Sequence, residues 1–175
     1  MTEPLRVYLA GPFFNSAQIE IVKSIENIFD RYEVPHFSPR KLGLNAQPTT
    51  TKPTPEQAAD IFKNDYQEIC RSTHVLAIVD WALPEGQSIH LHRNGTPEII
   101  GPPLNIPDSG TVWEMGCAYA LRVPVILFTH NPSKNMNLML TQSAKGCIYG
   151  FDALHLFAES RFNPSFLEGW KGEHR

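Results

Sequence analysis

The sequence predicts an α/β protein: one doubly wound domain over residues 1–175, with a mostly parallel five-stranded sheet and helices on both faces. Three observations predict it. Short apolar runs ending in turn residues alternate along the chain with stretches of helical periodicity, the pattern of strands joined by crossover helices. The run "HVLAIVD" (His74 to Asp80) is apolar almost throughout, as a strand covered on both faces must be. A chain of 175 residues, 42% of them hydrophobic, suffices for one domain with a real core.

The elements follow in order. "LRVYLAG" (Leu5 to Gly11) is an apolar run entering a Gly-Pro turn, hence a strand. Asn15 with Gln18 three residues on marks a helix start, and Ile19, Val22, Ile25, Ile28, Phe29 and Tyr32 continue it at helical spacing. "VPHFSP" is a short second strand. "LNAQPTTTKPTPEQ" is a polar loop. Thr54, Pro55 and Gln57 then supply a cap, a first-turn proline and a returning amide. Ala58, Ile61, Phe62, Tyr66 and Ile69 carry that helix to about Arg71. After the "HVLAIVD" strand comes a long Gly- and Pro-rich loop, Trp81 to Asp108; such a length inside a compact domain is usually functional or mobile. A helix over the "SGTVWEMGCAYA" stretch, the strand "PVILF" and a last strand at "CIYGF" complete the sheet. The tail from Asn163 is expected to pack on a neighbour or on the domain surface.

This winding is flavodoxin- or Rossmann-like, but GxGxxG is missing; Gly110 to Gly116 has the wrong spacing for a dinucleotide fingerprint. In an open α/β sheet, ligands sit at the carboxyl ends of the strands. "AGPFF", "VDWALPEG" and the loop carrying Asp108 all map there.

The bulk numbers exclude several classes. The net charge is -3 and no Lys/Arg run exceeds two residues, so polymeric nucleic acid is not the expected partner. Three scattered cysteines, Cys70, Cys117 and Cys147, without a CxxC pair, indicate reduced thiols in a cytoplasmic protein. The start "MTEPLRVYLAG" lacks the apolar stretch of a signal peptide, and no window reaches the ~18 apolar residues of a membrane span. His90 and His92 form an HxH pair with no third ligand nearby, so no metal site is expected. Cys117 has no evident His or Asn/Asp partner. Ser109 and Ser143 lack the GxSxG elbow.

The carboxylates are the remaining candidates. Glu114 falls in the first or second turn of its helix. The positive end of the helix dipole favours its anion, which suits a nucleophile and equally suits an ordinary first-turn residue. Asp108 precedes a Gly-Thr turn, where it either caps the helix or accepts ligand hydroxyls. Asp65, in "FKNDYQEI", is either a solvated helix residue or a proton donor whose pKa is raised by burial. Trp113 and Tyr119 either join the core or stack on a planar ligand.

Together, "YLAGPFF" (Tyr8 to Phe14), "KNDYQEICRSTHVLAIVD" (Lys63 to Asp80) and "PDSGTVWEMGCAYALRVPVI" (Pro107 to Ile126) resemble the nucleoside 2-deoxyribosyltransferase family. "NLML" (Asn137 to Leu140) and "FLEGW" (Phe166 to Trp170) are similar to that family's downstream elements. The likeness covers most of the chain in the right order, and the set of spacings is more specific than any one piece.

The resemblance implies a retaining glycosyl transfer without a cofactor. Glu114 matches the nucleophile that attacks C1′ of a 2′-deoxynucleoside and expels the base. Asp65 matches the acid/base that protonates the departing base. Tyr8 matches a phenol that holds the nucleophile. Asp108 matches a residue binding sugar hydroxyls. Asn137 matches a sugar-binding amide that often reaches a neighbouring subunit's site. The motif glycines Gly11 and Gly110, with Phe13, Phe14 and Trp81, complete the expected substrate-binding set. A homo-oligomer is implied, with Phe166, Trp170 and the Asn137 region as contacts.

A sister family of deoxynucleoside 5′-monophosphate N-glycosidases shares fold, nucleophile and acid, with serine typical where this chain has Asp108. A carboxylate there repels a phosphate dianion by roughly several kcal/mol if poorly screened, which favours free nucleosides. The long loop and the extended C-terminus depart from the transferase pattern and leave hydrolysis open. A sensing module that binds without turnover is the non-enzymatic alternative.

Overall fold

A computed structural model describes residues 4–42, 53–80, 89–91, 97–99, 107–130 and 136–172. The sheet has five strands, all parallel: β1 (Val7–Ala10), β2 (His36–Phe37), β3 (His74–Ile78), β6 (Val125–Thr129) and β7 (Gly146–Tyr149), in the order β2-β1-β3-β6-β7. The chain winds outward in both directions from β1 and β3, the flavodoxin-like arrangement that places a crevice at the strand ends. The expected α/β class, strand count and parallel pairing hold.

Alternation along the strands divides the core in two. Val7, Leu9, Leu76, Ile78, Ile126 and Phe128 face one side, under helices α1 (Ser16–Arg31) and α5 (Gly150–Glu159). Tyr8, Ala10, Val75, Ala77, Val125 and Leu127 face the other. There Ile69 of α2 (Pro55–Arg71), Met115 and Ala118 of α3 (Ser109–Ala120) and Leu140 of α4 (Leu138–Ser143) cover them. Period-2 strands buried on both faces explain the unbroken apolar runs.

The caps form as the sequence suggests. Asn15 Oδ1 accepts the Gln18 amide at 2.9 Å, while Gln18 Oε1 reaches back to the Phe14 amide at 2.8 Å. Thr54 and Gln57 close a full capping box.

Two of the expected regions differ, and the tail takes one of its two expected positions. The long loop holds a small antiparallel pair, β4 (Ile89–Leu91) with β5 (Pro97–Ile99), Ile89 opposite Ile99; Asn94-Gly95 between two β-rich runs was the legible hairpin signal. Helix α2 follows its predicted period yet buries only Glu68 and Ile69, leaving Phe62 and Tyr66 exposed. The tail packs on its own domain: Glu168 and Cys147 exchange both backbone hydrogen bonds, at 2.8 and 3.0 Å, and cover the β7 edge.

Candidate active site

Tyr8 is the second residue of β1 and points into the α2/α3 side of the core, fully buried and stacked on Phe37 with ring centroids 5.5 Å apart. Its phenol emerges from that core at one polar atom, the Glu114 carboxylate, donating a hydrogen bond of 2.5 Å to Oε1. Burial, then the nearby charges of Glu114 and Asp65, push the Tyr8 pKa far above its ordinary value. The hydroxyl therefore stays protonated and remains a donor.

Glu114 is the sixth residue of α3. Asp108 caps that helix, Oδ2 accepting the Thr111 amide at 3.0 Å, and its charge is felt at Glu114. Gly110 makes this cap possible, since a Cβ there would stand 2.8 Å from Asp108 Oδ2. Burial, reinforced by the charges of Asp65 and Asp108 and opposed by the Tyr8 hydrogen bond, pushes the Glu114 pKa up to about 8. The helix dipole does not dominate here; desolvation does.

Asp65 lies on the inner side of α2, half-buried, and its charge reaches both Glu114 and Tyr8. Burial and the charge of Glu68, opposed by a hydrogen bond from Asn64, push it up to about 6. The two carboxyls thus hold one proton between them across the neutral range and titrate as a pair.

The structure brings Tyr8, Asp65, Asp108 and Glu114 together from β1, α2, the loop before α3 and α3. Gly11 serves the scaffold: a Cβ there would stand 2.8 Å from Ile78 Cδ1, so β1 exits close over β3 only with glycine. Phe13 and Phe14 stack on each other at 5.6 Å beyond the end of β1, Phe14 largely exposed. Asn137 caps α4, accepting the Met139 amide at 2.8 Å, and is exposed. Trp81 and His92 lie outside the described residues.

Several features escaped sequence reasoning. Asp80, buried at the carboxyl end of β3, accepts bonds from Thr129 Oγ1 at 2.5 Å and the His130 amide at 2.6 Å, tying β3 to β6 beside the crevice. Its position directly after the strongest apolar run was the available signal. Trp113 and Tyr119 are exposed, so the core reading fails for both; Trp113 instead packs on Phe62, centroids 5.0 Å apart. Burial raises the Cys117 thiol, which leaves it a poor nucleophile. Among the described residues, no cluster of His, Cys, Asp and Glu could hold a metal ion, and no helix is long and apolar enough to cross a membrane. A cavity of about 670 Å³ opens at the amino ends of β3, β6 and β7, among His74, Lys145 and Trp170, at the opposite end of the sheet from this crevice.

The nucleoside 2-deoxyribosyltransferase family model matches residues 7–148, a span that contains all four clustered side chains. The chain belongs to that family. Solved structures share the fold of this family member. The 2-deoxyribosyltransferase of Bacillus psychrosaccharolyticus superposes with a TM-score of 0.68 at 24% identity, covering 94% of this chain and 98% of that one. A conserved protein from Enterococcus faecalis gives 0.61 at 16%, covering 90% and 98%. A 2-deoxyribosyltransferase from Leishmania mexicana gives 0.57 at 18%, covering 89% and 98%. No curated protein matches the chain. Family and fold together support nucleoside deoxyribosyltransferase activity in general terms.

Proposed function

We propose that this protein transfers 2-deoxyribose between nucleobases through a covalent deoxyribosyl-Glu114 intermediate, with retention at C1′. The 2.5 Å hydrogen bond from Tyr8 to Glu114 carries this reading, because it aims one carboxylate oxygen from a helix into a crevice that also holds a second carboxyl, Asp65, whose pKa is raised by burial.

In the first step Glu114 attacks C1′ of a 2′-deoxynucleoside. The C1′–N bond breaks, its electrons pass to the base, and Asp65 gives the base a proton. The product is an ester between C1′ and Glu114. In the second step a nitrogen of the acceptor base attacks C1′, the ester C–O bond breaks, and Asp65 takes the acceptor's proton. Two inversions give net retention. The positive charge that develops at C1′ favours the Glu114 anion over its neutral form, which opposes the burial that raises it in the free protein. The pair's single proton then belongs on Asp65, where leaving-group protonation contributes about 10²–10⁴-fold. A 2′-hydroxyl would withdraw electrons from the same cation, so deoxyribosides are the reactive class.

We further assign Asp108, Gly11, Gly110, Phe13, Phe14, Asn137 and Trp81 to substrate binding, in a cytoplasmic homo-oligomer acting in nucleoside salvage. Three free cysteines support a reducing compartment. Incubation with deoxyinosine and adenine tests the reading: deoxyadenosine is the expected product. Free hypoxanthine without deoxyadenosine would make the protein an N-glycosidase. One observation favours that second reading: the tail to Gly172 lies along its own β7 edge, where Tyr149 donates to Gly169 and accepts from the Lys171 amide, so this stretch is not spare for closing another subunit's site.

A further inference from the structure

Arg6 immediately precedes β1 and stands two residues before Tyr8, so the alternation of extended backbone puts both on the α2/α3 side. On α2, Glu68 follows Asp65 by three residues and shares its face. The two elements therefore meet at two levels. At the upper level Asp65 acts on Tyr8 and Glu114. At the lower level Arg6 and the buried Glu68 form an ion pair through Glu68 Oε2. Arg71 occupies Oε1 at 3.1 Å. The Ser72 hydroxyl donates to the Glu68 carbonyl at 2.8 Å, and the Thr73 amide to the Arg6 carbonyl at 2.8 Å. The Arg6 amide returns a bond to Thr73 Oγ1 at 2.9 Å.

We infer that Glu68, clamped between Arg6 and Arg71, is the positioning residue for Asp65: it fixes the height of α2 over β1 and supplies the fixed negative charge beside the acid. The inference rests on the reading of Asp65 as the acid/base. Most of the rest of α2 is exposed or half-buried, so this clamp and Ile69, together with the Phe62–Trp113 contact, hold the helix in register. A buried charge is costly to leave unpaired, which makes the clamp stiff.

The charged and titratable groups facing Asp65 are Glu114 from α3, Tyr8 from β1 and Glu68 from its own helix; Arg6 and Arg71 act through Glu68. Glu68 raises Asp65, so its anion keeps the acid protonated at higher pH. Removing that anion must lower the Asp65 midpoint, and removing a clamping cation must raise it. These opposite signs separate a positioning role from general loss of structure.

The experiment follows the Asp65 carboxyl by carbon NMR titration in the wild type, Glu68→Gln and Arg6→Met, beside the pH profile of deoxyribosyl exchange. Glu68→Gln is expected to lower the midpoint by about half to one pH unit, and Arg6→Met to raise it, with the acidic limb of exchange, the lower step of the carboxyl pair, moving in step. Arg71→Met, at an exposed side chain, gives an upward shift that does not depend on packing if Glu68→Gln fails to fold. Midpoints that stay put, or move the same way in the glutamate and arginine variants, overturn the inference. Shifts of the expected signs in a wild type that neither transfers nor releases bases would leave the inference standing and remove the proposed function.

Discussion

Tyr8 and Glu114 are 106 residues apart in the chain, yet the phenol donates a 2.5 Å hydrogen bond to the carboxylate. The tyrosine is locked by β1 pairing on both sides and by Phe37, so it acts as a fixed peg for a side chain on α3.

That peg should matter most when Glu114 must be ionised. Tyr8→Phe keeps the ring and its packing but removes the donor that lowers the Glu114 pKa. The basic limb of activity, where the pair loses its last proton, should move to higher pH, and kcat/KM should fall by roughly 10–100-fold, from the loss of a hydrogen bond to a charged group. An unchanged basic limb in steady-state kinetics would show that the phenol does not control the carboxylate.

Asp65→Asn should separate the two halves of the chemistry. Natural bases leave poorly as anions, so their transfer should slow by about 10²–10⁴-fold. A deoxyriboside with an activated leaving group that departs without protonation should be largely spared. Equal losses on both donors would deny Asp65 its role as the acid.

The raised Glu114 pKa has a consequence for stability. A carboxyl whose folded pKa exceeds its unfolded value contributes stability fully below the unfolded pKa, and that contribution is lost as pH rises through the folded one. For Glu114 the window runs from the ordinary glutamate range to about 8. Glu114→Gln should therefore melt closer to wild type near pH 5 and become the more stable protein near pH 8. Thermal unfolding at the two pH values measures this, and a pH-independent difference would contradict the burial account.

Asp108→Ser should change substrate preference more than fold. Serine is as good an N-cap as aspartate, so the Thr111 amide keeps a partner and the melting temperature should hold. Losing the carboxylate removes a repulsion toward phosphate, so the ratio of rates on deoxynucleoside 5′-monophosphate to deoxynucleoside should rise about tenfold or more. A ratio that does not move would place the 5′ end of the substrate away from Asp108.

Much of this was legible in the sequence because it is local. The Asn15 and Thr54 caps, the β3 run and the start of α3 at Asp108 each need only a few neighbouring residues. What was not legible depends on packing between distant elements. The period of α2 announces a helix but not that Phe62 and Tyr66 stay exposed, since the sheet covers only one end of it. Helix α5 is not announced by any loop, although Leu154, Phe157 and Ala158 carry its buried stripe, because Gly150 begins the helix directly after β7 ends at Tyr149. At the site, the carboxylates came into view through their resemblance to a family. Their raised pKa values came only from the burial that the fold imposes.

The most direct test of the central claim is the rate of deoxyadenosine formation from deoxyinosine and adenine by folded Glu114→Ala protein. With the nucleophile gone, the exchange should drop by about 10³-fold or more. A Glu114→Ala protein that exchanges bases at the wild-type rate would contradict the account.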